Sequence, residues 1–394
     1  MHVVICFINI GFYHMARLTA VSVMCEKLGW KLTAVQLTDD SLEHPWGDTG
    51  VNSSFPILSL IKSGKQDVLD KRLPHLSNSE IENCLVELNP DIVFLPGWSF
   101  QLSQKALTWC RKKNVPTILM SESKYDDVKR TWWKEMLKSW LYVKRFSGAL
   151  VGGDVHADYI KSLGMSRNMI FTGYDVVDNE HFIQHADFAR KHESSVRTSN
   201  PKIPKTPYFL VVTRLIPRKN VESLFDAYIK YRNEVKDMPW DLVICGNGEL
   251  KDQLIKTAID NNLEKNIHFP GFLSYQEIGY WYGLSGAFVH PALKEQWGLV
   301  VNEACSSGVP ILCSKTVGSS YELVREGVNG YLFEPEDIKD ITRCLIKIHQ
   351  LDHDERGVMG EESRKIVKKC SPEVFAESVV SLSQIVIDKC KMIN

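Results

Sequence analysis

An apolar run from Val3 to Ile8, followed by Gly11 and then a helical pattern, is the feature that most narrows what this chain can become. A strand that is apolar at every position has no face to offer water, so both faces are covered, as in a parallel sheet flanked by helices. The helical pattern runs from about His14 to Leu28 and stops at Gly29, and Lys31 to Leu37 supplies the next strand. A strand–loop–helix–strand opening predicts a doubly wound domain whose ligands sit at the strand C-termini. Asp91 to Pro96, Pro116 to Met120 and Ala149 to Gly153 read as further strands of it, and the pattern restarts at Tyr208 to Thr213 and Asp241 to Cys245. The 394 residues suffice for two such cores. The reading is therefore α/β, with a first Rossmann-like domain over 1–185 and a polar, proline-bearing linker over 186–206. A second Rossmann-like domain follows over 207–370, and a helix over 371–394, capped by Ser371-Pro372, closes the chain.

The densest chemistry lies between Phe288 and Pro310, FVHPALKEQWGLVVNEACSSGVP. A short apolar strand breaks at Pro291, a polar loop carries Lys294 and Glu295, and a helical stripe starts after Gly298 and ends at Gly308 and Pro310. Strand, loop and helix N-terminus in that order make an anion site, because first-turn N–H groups lack intrahelical partners. Glu295 stands at the mouth of that site and Glu303 farther along the helix. Carboxylates beside an anion are tolerable where they accept hydrogen bonds from hydroxyls, and sugar or ribose hydroxyls are the obvious donors. Arg214 and Lys219 follow the Tyr208 strand directly, a basic pair suited to a pyrophosphate: Arg as a bidentate fork, Lys as a point charge.

Composition excludes more than it identifies. The net charge of −1 gives no global reason to bind nucleic acid. Ten cysteines, none in a C-x-x-C pair, read as reduced thiols of a cytoplasmic protein, many of them buried as small hydrophobes. The first residues read as a strand rather than a signal peptide, and no apolar run approaches the length of a membrane span. G-x-G-x-x-G is absent around Gly11, so no dinucleotide fingerprint opens the chain. No His/Cys cluster or D-x-D setting suggests a metal, and Asp126 and Asp127 suit a helix N-terminus instead. The segment from Lys124 to Arg145 places Trp132, Trp133, Met136, Leu137, Trp140 and Leu141 at helical spacing among many basic residues. The expectation is a surface helix packing its aromatic stripe into the domain core. The alternative, through residues 129–145, is a peripheral helix on the inner face of an anionic membrane.

E-Q-W-G-L-V-V-N-E-A-C-S-S-G-V-P, with seven residues between Glu295 and Glu303, resembles the signature of the retaining family 4 glycosyltransferases, Trp297 standing where Phe is commoner. R-L-I-P-R-K at 214–219 resembles the family's R-L-x-x-x-K, and Gly246-Asn247-Gly248 its G-x-G turn. V-V-D-N-E-H-F resembles G-V-D-x-x-x-F with Val176 for glycine, and the 316–333 stretch matches with Ser319 for a glycine and Tyr321 where proline is frequent. The resemblance implies a GT-B fold, two Rossmann-like domains facing a cleft, with the acceptor held by the first, the donor by the second and the last helix crossing back.

It also implies a hexose moved with retention from a nucleotide-diphosphate sugar, UDP-linked before GDP-linked, to a glycan, lipid-linked or small-molecule hydroxyl. Neither a cofactor nor a metal is called for. Arg214, Lys219 and Glu295 would be catalytic. Gly11, Gly246, Phe272, Leu273, Gln296, Trp297, Gly298, Leu299 and Glu303 would bind donor, Glu303 at the ribose and Phe272-Leu273 at the base. The family often has a histidine after the Pro116 to Met120 strand; here stand Ser121 and Glu122, which makes Glu122 an acceptor-side candidate. A sugar-nucleotide 2-epimerase of this architecture and a non-catalytic binding subunit are the competing readings.

Overall fold

The computed structural model describes residues 1–39, 53–61 and 75–393. The chain forms two compact units, Met1–Asp178 with Cys370–Asn394, and Asn179–Lys369. The first is built on a parallel sheet of β1 (His2–Phe7), β2 (Lys31–Thr38), β3 (Ile57–Ile61), β4 (Ile92–Pro96), β5 (Thr117–Ser121), β6 (Gly148–Val151) and β7 (Ile170–Thr172). Their order is β3-β2-β1-β4-β5-β6-β7. β1 and β4 are buried at every position, as their unbroken apolar sequence demands. β3 lies at the edge with Leu58 and Ser59 exposed, and this half-wetted sequence gives no pattern to read in advance.

The second unit repeats the plan with β8 (Tyr208–Val212), β9 (Asp241–Cys245), β10 (Ile267–Gly271), β11 (Ala287–His290), β12 (Ile311–Ser314) and β13 (Gly330–Phe333). The order is β10-β9-β8-β11-β12-β13, every neighbour parallel. Its core gathers Phe209, Phe225, Tyr228, Tyr231 and Trp240. The buried phenols are satisfied: Tyr228 donates to the Trp240 carbonyl at 2.8 Å, and the Trp240 amide donates to the Tyr231 hydroxyl at 2.8 Å. Removing a ring of this kind costs about 3–5 kcal/mol.

Two expectations need correction. The stretch 186–206 is not a linker as far as Ser199: helices Asn179–Lys191 and Glu193–Ser199 run through it, inside the second unit. Its charges are spaced as helix-surface pairs, Arg190 with Asp187 and Arg197 with Glu193, which composition alone cannot tell from a solvated tether. On the other face Phe182, Ala186 and Ala189 are buried. That face meets helix Tyr275–Gly283, and Gly283 lets the two come close, since a β-carbon there would lie 2.6 Å from the Ala186 carbonyl oxygen. The second correction concerns helix Trp132–Leu141, which buries none of its residues. Its polar side faces the domain, because Arg130, Asp127 and Tyr159 offer ion pairs and hydrogen bonds there.

The last helix, Pro372–Ile393, belongs to the first unit. The Val374 amide donates to the Ser371 hydroxyl at 3.4 Å, Ser378 donates to the Thr172 carbonyl at 2.9 Å, and the Phe375 and Tyr174 rings lie 6.4 Å apart. No disulfide joins the ten cysteines, of which only Cys84 and Cys390 are partly exposed. Burial pushes the Cys84 thiol up to about 11 and the Cys110 thiol to about 12, away from thiolate chemistry. Among the described residues no helix is long and apolar enough to cross a membrane.

Candidate functional site

In the second sheet the strand order reverses between β8 and β11, and the C-termini of these neighbours carry the loops Thr213 to Asn220 and Pro291 to Gly298. A parallel sheet opens its ligand crevice at such a switch point. Asn220, at φ 57°, ties the two loops: its side-chain amide donates to the carbonyls of Pro291 (3.1 Å) and Pro335 (2.7 Å). The Leu293 amide adds a bond to the Arg218 carbonyl at 2.9 Å. Lys219 is thereby held in a one-turn 3-10 helix, buried, with its ammonium paired to the Glu295 carboxylate.

His290, the last residue of β11, completes the cluster. Its Nε2 lies 3.6 Å from Glu295 Oε2, and a β-carbon on Gly298 would come within 3.4 Å of that nitrogen. Gly298 sits at φ 96°, a backbone region that glycine enters without penalty, and it caps helix Leu299–Ser306. The helix N-terminus, Lys219, Glu295 and His290 therefore share one side of the crevice.

Burial sets the electrostatics. It pushes the Lys219 ammonium down, with Arg218 and Arg214 adding repulsion, to about 7; the contact with Glu295 pulls the other way. His290 is held neutral, well below the usual histidine range, by burial and by the neighbouring Lys219 charge. An anion entering here meets cations whose repulsion it relieves, while Glu295 can accept hydrogen bonds from hydroxyls.

The other expected donor residues are arranged around this cluster in several ways. Glu303 is buried in the helix and accepts from the Tyr282 hydroxyl at 2.9 Å. Trp297 turns its ring into the core and donates from its indole to Asn302 at 2.8 Å, so only its backbone belongs to the loop. Gln296 is exposed, Leu299 is half-buried at the helix start, and Phe272 stands 58% exposed beside Leu273 on the loop after β10.

Gly246 and Gly248 have no space for side chains of their own. A β-carbon on Gly246 would fall 1.8 Å from the Thr213 carbonyl oxygen, and one on Gly248 would fall 2.3 Å from that of Leu215. The two glycines let the chain press against the loop that carries Arg214. Ser319, in a glycine's place, has φ −70° and needs no glycine; its amide donates to the Trp297 carbonyl at 3.0 Å, fastening the loops together.

Gly11 and Glu122 belong to the first unit. Gly11 caps helix Phe12–Lys27, and its amide donates to His14 Nδ1 at 3.2 Å. Glu122 follows β5 and faces Asp175, a fully buried acid that sequence reading passed over. Burial, then the Glu122 charge, pushes the Asp175 carboxyl well above the carboxylate range, with Arg17 opposing. Arg17 is buried too; it donates from Nε and Nη2 to the Val176 carbonyl at 3.1 and 3.0 Å and lies 4.9 Å above the Tyr174 ring. His290, Tyr282, Asn302, Arg17 and Asp175 were all missed. Only His290 left a signal, a polar residue closing an otherwise apolar strand before Pro291. Among the described residues no three His, Cys, Asp or Glu side chains converge as a metal would need.

Residues 193–366 match the family model of glycosyl transferases group 1. The chain is similar to the O-antigen chain mannosyltransferase B of Escherichia coli, at 30% identity over 146 residues, 37% of this chain and 37% of that protein. It spans less than half the length of such curated relatives. Among solved structures it is similar to a glycosyltransferase of Rickettsia africae, TM-score 0.76 with 12% identity over 98% of both chains. It is also similar to Alr3699/HepE of Anabaena in complex with UDP-glucose, TM-score 0.70 with 15% identity over 100% of both chains. The chain has the GT-B fold, and most of its second unit matches the glycosyl transferases group 1 model.

Proposed function

We propose that the protein is a retaining glycosyltransferase that moves a hexose-type sugar from a nucleotide-diphosphate sugar to a hydroxyl of a glycan, glycolipid or small molecule. The observation that carries this reading is the buried Lys219–Glu295 pair at the switch point of the second sheet, with Arg214 on the same loop and a helix N-terminus across from it. A UDP-linked donor leads, since the Anabaena protein of the same fold was solved with UDP-glucose.

In this reading Arg214, Lys219 and the start of helix Leu299–Ser306 hold the diphosphate and take up the charge that grows on it as the bond from the anomeric carbon to phosphate oxygen breaks. Glu295 holds hydroxyls of the departing sugar and Glu303 those of the ribose. The acceptor oxygen bonds to the anomeric carbon on the face the phosphate leaves, and its proton passes to the departing phosphate oxygen, which conserves configuration. Glu122, in the first unit, is the acceptor-side residue.

A melting panel with UDP, UDP-glucose, GDP, GDP-mannose and ADP tests the donor site, because a ligand of the folded state raises the midpoint with the logarithm of its concentration over Kd. UDP and UDP-glucose should give the largest shifts. No shift with any nucleotide would remove the proposal. Incubating UDP-glucose without acceptor should give slow hydrolysis at most; interconversion of sugars would point to an epimerase.

A further inference from the structure

Helix Trp132–Leu141 is amphipathic the wrong way round for a domain surface. Trp132, Met136 and Trp140 are 78%, 56% and 66% exposed, with Trp133 and Leu137 beside them on the same side. At 100° per residue these side chains and Leu141 fill one continuous half of the helix.

The other half holds the helix in place. Glu135 accepts from the Tyr159 hydroxyl at 2.6 Å and pairs with Lys138 at 2.9 Å. Arg130 pairs with Asp127 and with Glu135, and its guanidinium lies 4.0 Å over the Tyr159 ring. Arg130 and Asp127 keep only 6% and 7% of their side-chain surface exposed. This network fixes the aromatic half outward, so its exposure is built into the fold. An apolar patch of this extent on a folded surface marks an interaction site.

We propose that this helix docks the protein on an anionic bilayer, lying in the interface plane with its tryptophans in the headgroup–acyl boundary. The rim decides for lipid over a protein partner. Lys129, Lys134, Lys144 and Arg145 are exposed in and next to this helix along the chain, with the Lys134 ammonium 5.3 Å over the Trp133 ring, against one exposed acid of the same stretch, Asp126. Indole rings beside lysines match the boundary of a bilayer, apolar on one side and rich in phosphate on the other. The helix has ten residues, too few to cross, so it rests on the surface.

Co-sedimentation with phosphatidylcholine vesicles, with and without phosphatidylglycerol, tests this without donor or acceptor present, so the outcome is separate from the donor-site reading. The wild type should bind the anionic vesicles at least about tenfold better than the neutral ones, and its tryptophan emission should shift to the blue. Trp132→Ser with Trp140→Ser should lose that binding while keeping the melting shift with UDP. Lys129→Glu with Lys144→Glu should weaken it about as strongly as raised salt does. No binding by the wild type, equal binding to neutral vesicles, or full binding by the double tryptophan variant would each overturn the proposal. So would sedimentation velocity showing a dimer that the tryptophan changes abolish, with no vesicle binding.

Discussion

The two sheets share a strand order around their first and fourth strands, yet their switch points are furnished in opposite ways. In the first unit the chain passes from β1 through Gly11 straight into a helix, and the nearby charges turn inward: Arg17 binds the Val176 carbonyl and Glu122 meets a buried Asp175. In the second unit the loop Thr213 to Asn220 is inserted before the helix, and it brings Lys219 against Glu295 and His290. The same topology thus gives a structural charge cluster in one place and a candidate reaction centre in the other. What separates them is whether charge is spent on the protein's own backbone or aimed at a crevice.

Alanine substitution should break the comparison most sharply. Lys219→Ala is expected to lower kcat by about 10²–10³-fold, the range for deleting one group that stabilises developing charge, in protein that still folds. Arg17→Ala should do the reverse. It removes two hydrogen bonds to the Val176 carbonyl and the guanidinium above the Tyr174 ring, and should cost about 1.5–3 kcal/mol in a denaturant titration. Near-wild-type turnover in folded Lys219→Ala protein would erase the distinction between the two clusters.

A smaller effect follows from the Lys219 ammonium lying near 7. A bound diphosphate restores the charged state, so above about pH 7 binding must take up a proton. UDP affinity should be flat below that point and fall by up to about tenfold per pH unit above it. Calorimetry in buffers of different ionisation enthalpy reads the proton directly. Stability runs by the same linkage: between about 7 and 10.5 the unfolded chain binds the proton and the folded chain does not, so Lys219 makes the protein more stable as pH rises through that window. An affinity independent of pH would mean that Glu295 keeps Lys219 charged throughout.

The fold was largely legible because its central strands are apolar on both faces. The expected Val3 to Ile8, Asp91 to Pro96 and Asp241 to Cys245 differ from β1, β4 and β9 by at most a residue or two. Legibility failed where periodicity was present but its direction was not. The pattern at Trp132 to Leu141 states that the helix has two faces, and only the Tyr159–Arg130 network says which one turns in. The helices over 186–199 were hidden for a related reason, since paired surface charges look like linker composition. In the site, Lys219 and Glu295 could be named because local motifs carry them. Tyr282 reaches Glu303 from another helix, and Asn302 takes the Trp297 indole within the loop–helix segment itself, contacts that no spacing announces.

Glu122→Gln should give a milder change, confined to one substrate. As an acceptor-side group it loses one charge-assisted hydrogen bond, so acceptor KM should rise about tenfold while the melting shift with UDP is unchanged. A loss of UDP binding instead would move Glu122 out of the acceptor role and weaken the division of labour between the units.

The smallest expected effect is one of sign. Asp175 is pushed above the carboxylate range first by burial and then by Glu122, so the folded chain holds a proton that the unfolded chain releases above about pH 4. By linkage its contribution is intact at low pH and is lost as pH rises through the folded value, opposite to the trend from Lys219. Asp175→Asn supplies the neutral, hydrogen-bonding form permanently. It should raise the melting midpoint by a few degrees at neutral pH, and the gap should close towards about pH 4, where the wild-type acid is protonated in both states. A midpoint that falls at every pH would show Asp175 to be an ionised partner of Arg17. The first unit's cluster would then be an ion pair like Lys219–Glu295, and the contrast between the two crevices would rest on exposure alone.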